Sequence, residues 1–162
     1  MGGNLPFADR IGRALFESAI TAANQLNITV MSSSPVWRST AWPAQPPGQS
    51  RPVFFNAVWR IAWPGNDPHA LLDALNALEA KFGRVRGAAN ADRTLDLDML
   101  DFRGQILRTP RLTLPHPRMR ERRFVLGPLA DLAPDWRCPS TGLGAAALLE
   151  RLGEGDDAER LG

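Results

Sequence analysis

Cysteine and histidine are scarce in this sequence. Cys138 is the single cysteine, and His69 and His116 are the two histidines. One cysteine cannot build a disulfide framework within the chain, and this usage is typical of a reducing cytoplasm. A structural zinc site, which takes four ligands that are mostly cysteine and histidine, is also disfavoured. We therefore expect a cytoplasmic protein without disulfides or structural zinc.

Long apolar runs are missing as well. None approaches the roughly 20 residues that cross a bilayer, and the first residues lack the basic and apolar regions of a signal peptide. We therefore expect no membrane partner. With 162 residues, 44% of them hydrophobic, the chain is most economically one domain. We predict a single domain over residues 1–152 and a flexible, acidic, glycine-bearing tail over residues 153–162.

Lysine is almost absent, and arginine takes its place. The chain has one lysine, Lys81, against 18 arginines, and ten of these lie between Arg84 and Arg123 with only five acids among them. Arginine binds phosphate in a planar, bidentate way that lysine cannot copy. A compositional habit explains the overall ratio but not the clustering. The clustering predicts a region that handles phosphate.

Two aspartates lie within this arginine-rich region, in the sequence RTLDLDM at residues 93–99. Its apolar residues alternate with polar ones, which predicts a β-strand with one buried face. Asp96 and Asp98 then share the other face, roughly 6–7 Å apart. Two such carboxylates can hold one or two hard cations such as Mg²⁺. A solvated strand face with two charges is the alternative reading of this segment alone.

Periodicity and turn residues divide the rest of the chain. They predict helices from residue 6 or 7 to about 26, from 67 to about 82 and over 145–152, and a short helical or irregular apolar segment over 124–132. They predict strands or extended segments over 28–37, 53–63 and 106–114, with a long loop over 39–52. The ends of the second helix are the best defined. Asp67 supplies an N-cap, Pro68 is a first-turn proline, and Gly83 ends the helix.

The arginine-rich region indicates phosphate chemistry through side chains and metal ions. Neither G-x-x-x-x-G-K-[ST] nor G-x-G-x-x-G occurs in the chain. Metal ions can bridge phosphate oxygens while cationic side chains stabilise charge as it moves. The residues with this chemistry are Arg84, Arg86, Arg93, Asp96, Asp98, His116 and Arg122.

Six short motifs occur in order along the chain: GGNL at 2–5, WRS at 37–39, FFN at 54–56, GRVR at 83–86, RTLDLD at 93–98, and PHPR at 115–118 with Arg122 and Phe124. Through these motifs the sequence resembles, from Gly2 to about Cys138, the 6-hydroxymethyl-7,8-dihydropterin pyrophosphokinase family of folate biosynthesis. The fold expected for such a chain is α+β, a ferredoxin-like α/β sandwich with a mainly antiparallel sheet and helices packed on it.

The resemblance implies transfer of pyrophosphate from ATP to the pterin hydroxymethyl group, with release of AMP. In-line transfer needs positioning and charge stabilisation, so we predict no covalent protein intermediate. Asp96 and Asp98 are implied to hold two Mg²⁺ ions, and Arg84 and Arg93 to act beside them as catalytic residues. The implied ATP-binding residues are Leu72, Asn76, Glu79, Arg86, Arg111, Thr113, His116 and Arg122. The implied pterin-binding residues are Ser39, Trp42, Phe54, Asn56 and Phe124, in which two rings sandwich the bicycle and the asparagine reads its edge.

The sequence departs from the family pattern in several places. Ser39-Thr40 stands where the family usually has Thr-Pro, Phe54 replaces a common tyrosine, and Asn90 stands near a tryptophan position of some relatives. The family's first strand, before the Gly-x-Asn-Leu turn, has no counterpart here. We expect either a sheet without that strand or a start that is set late. On that expectation, restoring about six upstream apolar residues raises thermal stability.

A basic nucleic-acid-binding domain is the main alternative, because the arginines cluster. The two aspartates within the cluster argue against it, since they would repel phosphate unless a metal intervened. An inactive, truncated family member is a third possibility. The expected partners are therefore ATP and the hydroxymethyl-dihydropterin, with no nucleic acid, and the expected state is a monomer.

Overall fold

The computed structural model describes residues 1–40, 52–84, 94–153, 155 and 157–161. Its helices are α1 (Arg13–Ala23), α2 (Pro68–Lys81), α3 (Arg123–Leu132) and α4 (Ala145–Arg151), with 3-10 turns at Asn24–Leu26 and Met119–Glu121. Its strands are β1 (Gly2–Gly3), β2 (Thr29–Ser33), β3 (Trp37–Thr40), β4 (Val53–Asn56), β5 (Trp59–Ala62), β6 (Leu107–Arg108), β7 (Thr113–Leu114) and β8 (Ala158–Arg160). In these ranges no helix is long and apolar enough to cross a membrane.

The main sheet has four strands in the order β1-β4-β3-β8, and every neighbouring pair is antiparallel. Two further antiparallel pairs join β2 to β5 and β6 to β7. Gly2 of β1 also exchanges two backbone hydrogen bonds with Asp96, at 2.9 and 2.8 Å. The acidic segment, defined as residues 94–99, therefore lies beside β1. Antiparallel sheets with separate helices confirm the predicted α+β class, while the ferredoxin-like arrangement stays a prediction.

α1 and α2 supply the apolar faces of the largest core. Leu15 and Ala19 of α1 and Leu71 and Leu78 of α2 are all buried, and they recur at helical spacing. Fully burying one leucine side chain contributes about 1.5–3 kcal/mol. Leu95 of the acidic segment is buried in the same core. The two helices therefore fix the position of the segment that carries the aspartates.

The predicted limits of α2 are confirmed. Asp67 is the N-cap, and its Oδ1 accepts a hydrogen bond from the His69 N–H at 2.8 Å. Gly83 follows the helix with a φ of 74°, a conformation that glycine adopts without steric cost. The chain then folds back, and the Arg84 N–H donates to the Glu79 carbonyl at 3.2 Å. This exit brings Arg84 onto the end of the helix.

Each of the two predicted long strands is divided in the structure. Residues 28–37 contain β2 and the first residue of β3, and residues 53–63 contain β4 and β5. The breaks face each other, because the Ser34 N–H donates to the Val58 carbonyl at 2.9 Å and the Val58 N–H donates to Ser34 Oγ at 3.0 Å. Pro35 follows and has no N–H for a ladder. The Ser34 side chain thus replaces a strand partner. At this break, the chain passes from one sheet to the other, both between β2 and β3 and between β4 and β5.

The first helix begins at Arg13 and not near residue 6 or 7. Phe7 and Arg10 instead exchange two backbone hydrogen bonds, at 2.9 and 3.0 Å, and the two residues between them have positive φ. That backbone conformation cannot belong to a right-handed helix. Ile11, which lies before the helix, is 42% exposed.

The predicted flexible tail contains a strand. β8 pairs with β3 on the side away from β4, with Trp37 opposite Arg160 and Ser39 opposite Ala158. β3 without β8 would present a row of unpaired backbone groups, and β8 satisfies them. Three residues of the predicted tail are therefore a strand, and the division into one domain and a flexible tail stays a prediction.

Candidate active site

The acidic segment turns its two aspartates away from the core. Leu95 and Leu97 are 0% and 7% exposed, whereas the side chains of Asp96 and Asp98 are 21% and 45% exposed. The predicted alternation is confirmed, since successive residues of an extended chain face opposite sides. Strand pairing of this segment is limited, among the described residues, to the bridge between Asp96 and Gly2.

A buried carboxylate lies behind the first aspartate. Arg84 Nη1 forms an ion pair with Glu79 Oε1 and another with Asp96 Oδ1, the second at 2.5 Å. The same Glu79 oxygen accepts a hydrogen bond from the Leu97 N–H at 2.6 Å. Burial raises the pKa of Glu79, although the Leu97 N–H and the Arg84 guanidinium oppose this. Glu79 therefore joins α2, Arg84 and the backbone between the two aspartates.

A histidine and an arginine face the second aspartate. His116 Nε2 and Arg122 Nη1 each lie 3.8 Å from Asp98 Oδ2. His116 Nδ1 accepts a hydrogen bond from the Arg118 N–H at 3.3 Å, which assigns the proton of the neutral ring to Nε2, on the side of Asp98. Burial lowers the pKa of His116, and Asp98 partly opposes that shift. The ring therefore turns Nε2 toward Asp98, and burial favours its neutral form.

Arg122 connects this cluster to an aromatic ring. Its guanidinium carbon lies 5.6 Å from the centre of the Phe124 ring, within the range of a cation–π contact. Its side chain is 12% exposed, and burial lowers its pKa. A predicted ATP-binding residue and a predicted pterin-binding residue are therefore neighbours at the start of α3.

The predicted pterin residues on the main sheet form a neutral, buried pair. Asn56 and Ser39 are 6% and 4% exposed, and Asn56 Nδ2 donates to Ser39 Oγ at 2.9 Å. β1 passes close by, because a Cβ at Gly2 would lie 2.9 Å from Asn56 Oδ1. Phe54 lies opposite Ser39 in the ladder and is half-buried. Strand pairing thus brings together three of the five predicted pterin residues.

The remaining predicted residues have varied positions. Leu72 and Asn76 are half-buried on α2, and Thr113 lies in β7. Arg111 forms an exposed ion pair with Asp73 of α2. The predictions for Trp42, Arg86, Asn90 and Arg93 concern positions outside the described residues.

Sequence reasoning missed the hydroxyl of Thr94, which donates to the Phe82 carbonyl at the end of α2. Its position in the polar register of the acidic segment was the available signal, because that register places it on the side of the aspartates. The sequence also did not predict a cavity of about 590 Å³. The cavity lies between β5, residues 97–103 and α3, and among the described residues Asp98 is the predicted site residue in its wall.

An α+β domain with two carboxylates between arginines and a histidine defines a class of protein that handles phosphate through side chains. The chain matches the family of 7,8-dihydro-6-hydroxymethylpterin-pyrophosphokinase over residues 1–134. The chain therefore belongs to this family, and the resemblance stated from its motifs is confirmed.

Curated relatives agree with this assignment. The 2-amino-4-hydroxy-6-hydroxymethyldihydropteridine pyrophosphokinase of Synechocystis is 38% identical over 153 residues, which are 94% of this chain and 73% of the relative. The protein of the same name from Pseudomonas aeruginosa is 44% identical over 128 residues, covering 78% and 76% of the two chains. That of Haemophilus influenzae is 38% identical over 125 residues, covering 76% and 75%.

Proposed function

We propose that this chain transfers the pyrophosphoryl group of ATP to 6-hydroxymethyl-7,8-dihydropterin and releases AMP, as a step of folate biosynthesis. The observation that carries the proposal is the arrangement around the aspartates. Arg84 lies against Asp96, and His116 and Arg122 face Asp98. Family membership supplies the substrates. We also propose that the enzyme is a cytoplasmic monomer that binds neither nucleic acid nor membranes.

Asp96 and Asp98 fit the requirements of Mg²⁺. This ion prefers oxygen ligands and commonly takes one or two carboxylates together with substrate phosphates. The Asp98 side chain is 45% exposed, and its neighbours His116 and Arg122 lie 3.8 Å away, beyond hydrogen-bond length. We propose that the two carboxylates hold two ions. When bound, the metal supplies charge neutralisation across the phosphate oxygens.

The nitrogen-bearing side chains around the aspartates are proposed to bind the phosphates. Arg84, His116 and Arg122 are positioned to bind phosphate oxygens and to stabilise the negative charge that shifts during transfer. Arg84 is held from behind by the buried Glu79 carboxylate. We propose that Glu79 orients Arg84 and the Leu97 amide and does not itself contact ATP. Arg86, Arg93, Arg111, Thr113, Leu72 and Asn76 stay proposed nucleotide contacts.

The pterin is proposed to bind between Phe54 and Phe124. Stacking against two aromatic faces suits a planar bicycle. The Ser39 hydroxyl holds the Asn56 amide in one orientation, so that amide is fixed for reading the polar edge of the ring. Trp42 is proposed to complete the pocket. Because each substrate is held by positioned groups, no covalent protein intermediate is needed.

The test is AMP formation from ATP and the hydroxymethyl-dihydropterin, with and without Mg²⁺. We expect Asp98→Asn and Asp98→Ala to lower kcat at least about a hundredfold. Asp135→Asn, the same chemical change at an exposed residue outside the acidic segment, is the matched control and should retain activity. Pterin-dependent AMP release that survives both Asp98 changes contradicts the metal role. A folded wild type that makes no AMP contradicts the proposed function.

A further inference from the structure

The C-terminal strand β8 lies beyond the 1–134 family match and touches an element that carries a predicted pterin residue. Ala158 of β8 is directly opposite Ser39 of β3 and is itself buried. One residue earlier, the Asp157 carbonyl accepts a hydrogen bond from the Thr40 N–H at 3.0 Å. The backbone of Asp157 therefore holds the last residue of β3.

The side chain of Asp157 contacts the start of helix α3. Its Oδ1 accepts a hydrogen bond from Arg123 Nε at 3.0 Å, and the Arg123 side chain is only 14% exposed. Arg123 Nη2 also donates to the Gly153 carbonyl at 2.7 Å. Arg123 is the first residue of α3 and directly precedes Phe124. One tail residue thus bonds to Thr40, the neighbour of Ser39, and to Arg123, the neighbour of Phe124.

The opposite end of the β3–α3 contact is closed by packing. A Cβ at Gly127 of α3 would lie 2.4 Å from the Trp37 ring of β3, which shows how closely the two elements approach. Trp37 Nε1 also donates to Asp131 Oδ2 at 2.9 Å. The two elements therefore contact each other directly at their Trp37 end, where β8 also contributes through Arg160, which pairs with Trp37 and lies 3.8 Å from Asp131 Oδ1. At their other end, which bears Ser39 and Phe124, the link through the tail is Asp157.

We propose that Asp157 is a positioning residue for the pterin pocket, which sets the separation between the Ser39 strand and the Phe124 helix. The inference rests on the proposed function, since it concerns the second substrate of that reaction. Asp157 need not touch either substrate. Its effect should therefore fall on pterin binding and leave the nucleotide side unchanged.

Asp157→Ala and Asp157→Asn test this role in the full-length chain. We expect Asp157→Ala to raise the KM for the pterin and its directly measured Kd roughly two- to fivefold, the range expected for a partly exposed ion pair. The KM for ATP should not change. Asp157→Asn should bind the pterin as wild type does, because the amide oxygen can still accept from Arg123 Nε. Glu159→Ala, which removes the neighbouring carboxylate paired with Arg38, is the matched control and should have no effect.

A double variant keeps the outcome clear if one change alters folding. If Asp157 acts through Arg123, Arg123→Ala together with Asp157→Ala should weaken pterin binding no more than the stronger single change. An unchanged pterin KM in Asp157→Ala, or an equal rise in the KM for both substrates, overturns the proposal. So does an equal effect of Glu159→Ala. A wild type that makes no AMP in the same assay rejects the proposed function instead.

Discussion

The proposed phosphate side of the site, formed by Glu79, Arg84 and Asp96, and the proposed pterin side, formed by Ser39 and Asn56, are held by different forces. On the phosphate side, the buried Glu79 carboxylate pairs with Arg84, which pairs in turn with Asp96. On the pterin side, Ser39 and Asn56 are as deeply buried but neutral, and one hydrogen bond joins them. Removing one partner of a buried ion pair costs about 3–5 kcal/mol, whereas a neutral hydrogen bond contributes about 0.5–1.5 kcal/mol. The two sides should therefore differ in their sensitivity to substitution.

This difference corresponds to the two proposed substrates. ATP brings several negative charges, so the protein must hold its own charges in place before the nucleotide arrives. The pterin is a planar heterocycle, for which ring faces and a fixed amide are sufficient. Each side should then influence one substrate, and substitutions on the two sides separate them.

The largest effect is expected at Glu79. Replacing it by alanine leaves the buried Leu97 N–H and the Arg84 guanidinium without this carboxylate. We expect Glu79→Ala to lower the free energy of unfolding by about 3 kcal/mol and to raise the KM for ATP. Urea denaturation and steady-state kinetics measure the two effects. Glu79→Gln should lose less stability, because its amide oxygen can still accept from Leu97.

Glu17→Ala is the control for Glu79, since Glu17 is an exposed residue of α1. Its unfolding free energy should stay within about 0.5 kcal/mol of wild type. If Glu79→Ala is as stable as Glu17→Ala, the buried ion pair does not hold the phosphate side. If Glu79→Ala raises the KM for the pterin instead of that for ATP, the division between the two sides is wrong.

A smaller effect is expected at Ser39. Ser39→Ala removes the hydroxyl that accepts from Asn56 Nδ2 and leaves a buried donor, at a cost of about 1–3 kcal/mol. We expect pterin binding to weaken while the KM for ATP stays unchanged. Ser32→Ala, at an exposed serine of β2, is the control. Weaker ATP binding in Ser39→Ala would show that the two sides are coupled.

Local patterns in the sequence predicted those features of the site that depend on nearest neighbours along the chain. The alternation around Asp96 and Asp98 predicted which side chains are buried, and the Asp67-Pro68 pair predicted the start of α2. Both depend on short-range geometry. The inward contact of Glu79 was not predicted, because the resemblance implied an ATP-binding residue there and could not show that its carboxylate turns to Leu97.

Long-range contacts account for the errors in the fold. The alternation of residues 53–63 continues through the break between β4 and β5, so periodicity cannot reveal it. The break depends on Ser34, which bonds to Val58 from the link between β2 and β3. β8 is short, polar and flanked by glycine in the sequence, and it is ordered by its pairing with β3 and by Arg123. Such partners are found only when the fold is known.

The smallest effect is expected at His116, and it depends on pH. Burial lowers the pKa of His116 in the folded protein below its ordinary value near 6.5, with Arg122 and Arg118 adding to the shift and Asp98 opposing it. The unfolded chain therefore binds this proton more readily than the folded one. The contribution of the neutral ring to stability is complete above about pH 6.5 and is lost as the pH falls through the folded-state value.

In buffer without Mg²⁺, the urea midpoint of wild type should therefore fall more between pH 7.5 and pH 5.5 than that of His116→Gln. His69→Gln retains His116 and should keep the wild-type dependence. If the urea midpoints of wild type and His116→Gln depend equally on pH, the phosphate side does not bury His116 in its neutral form.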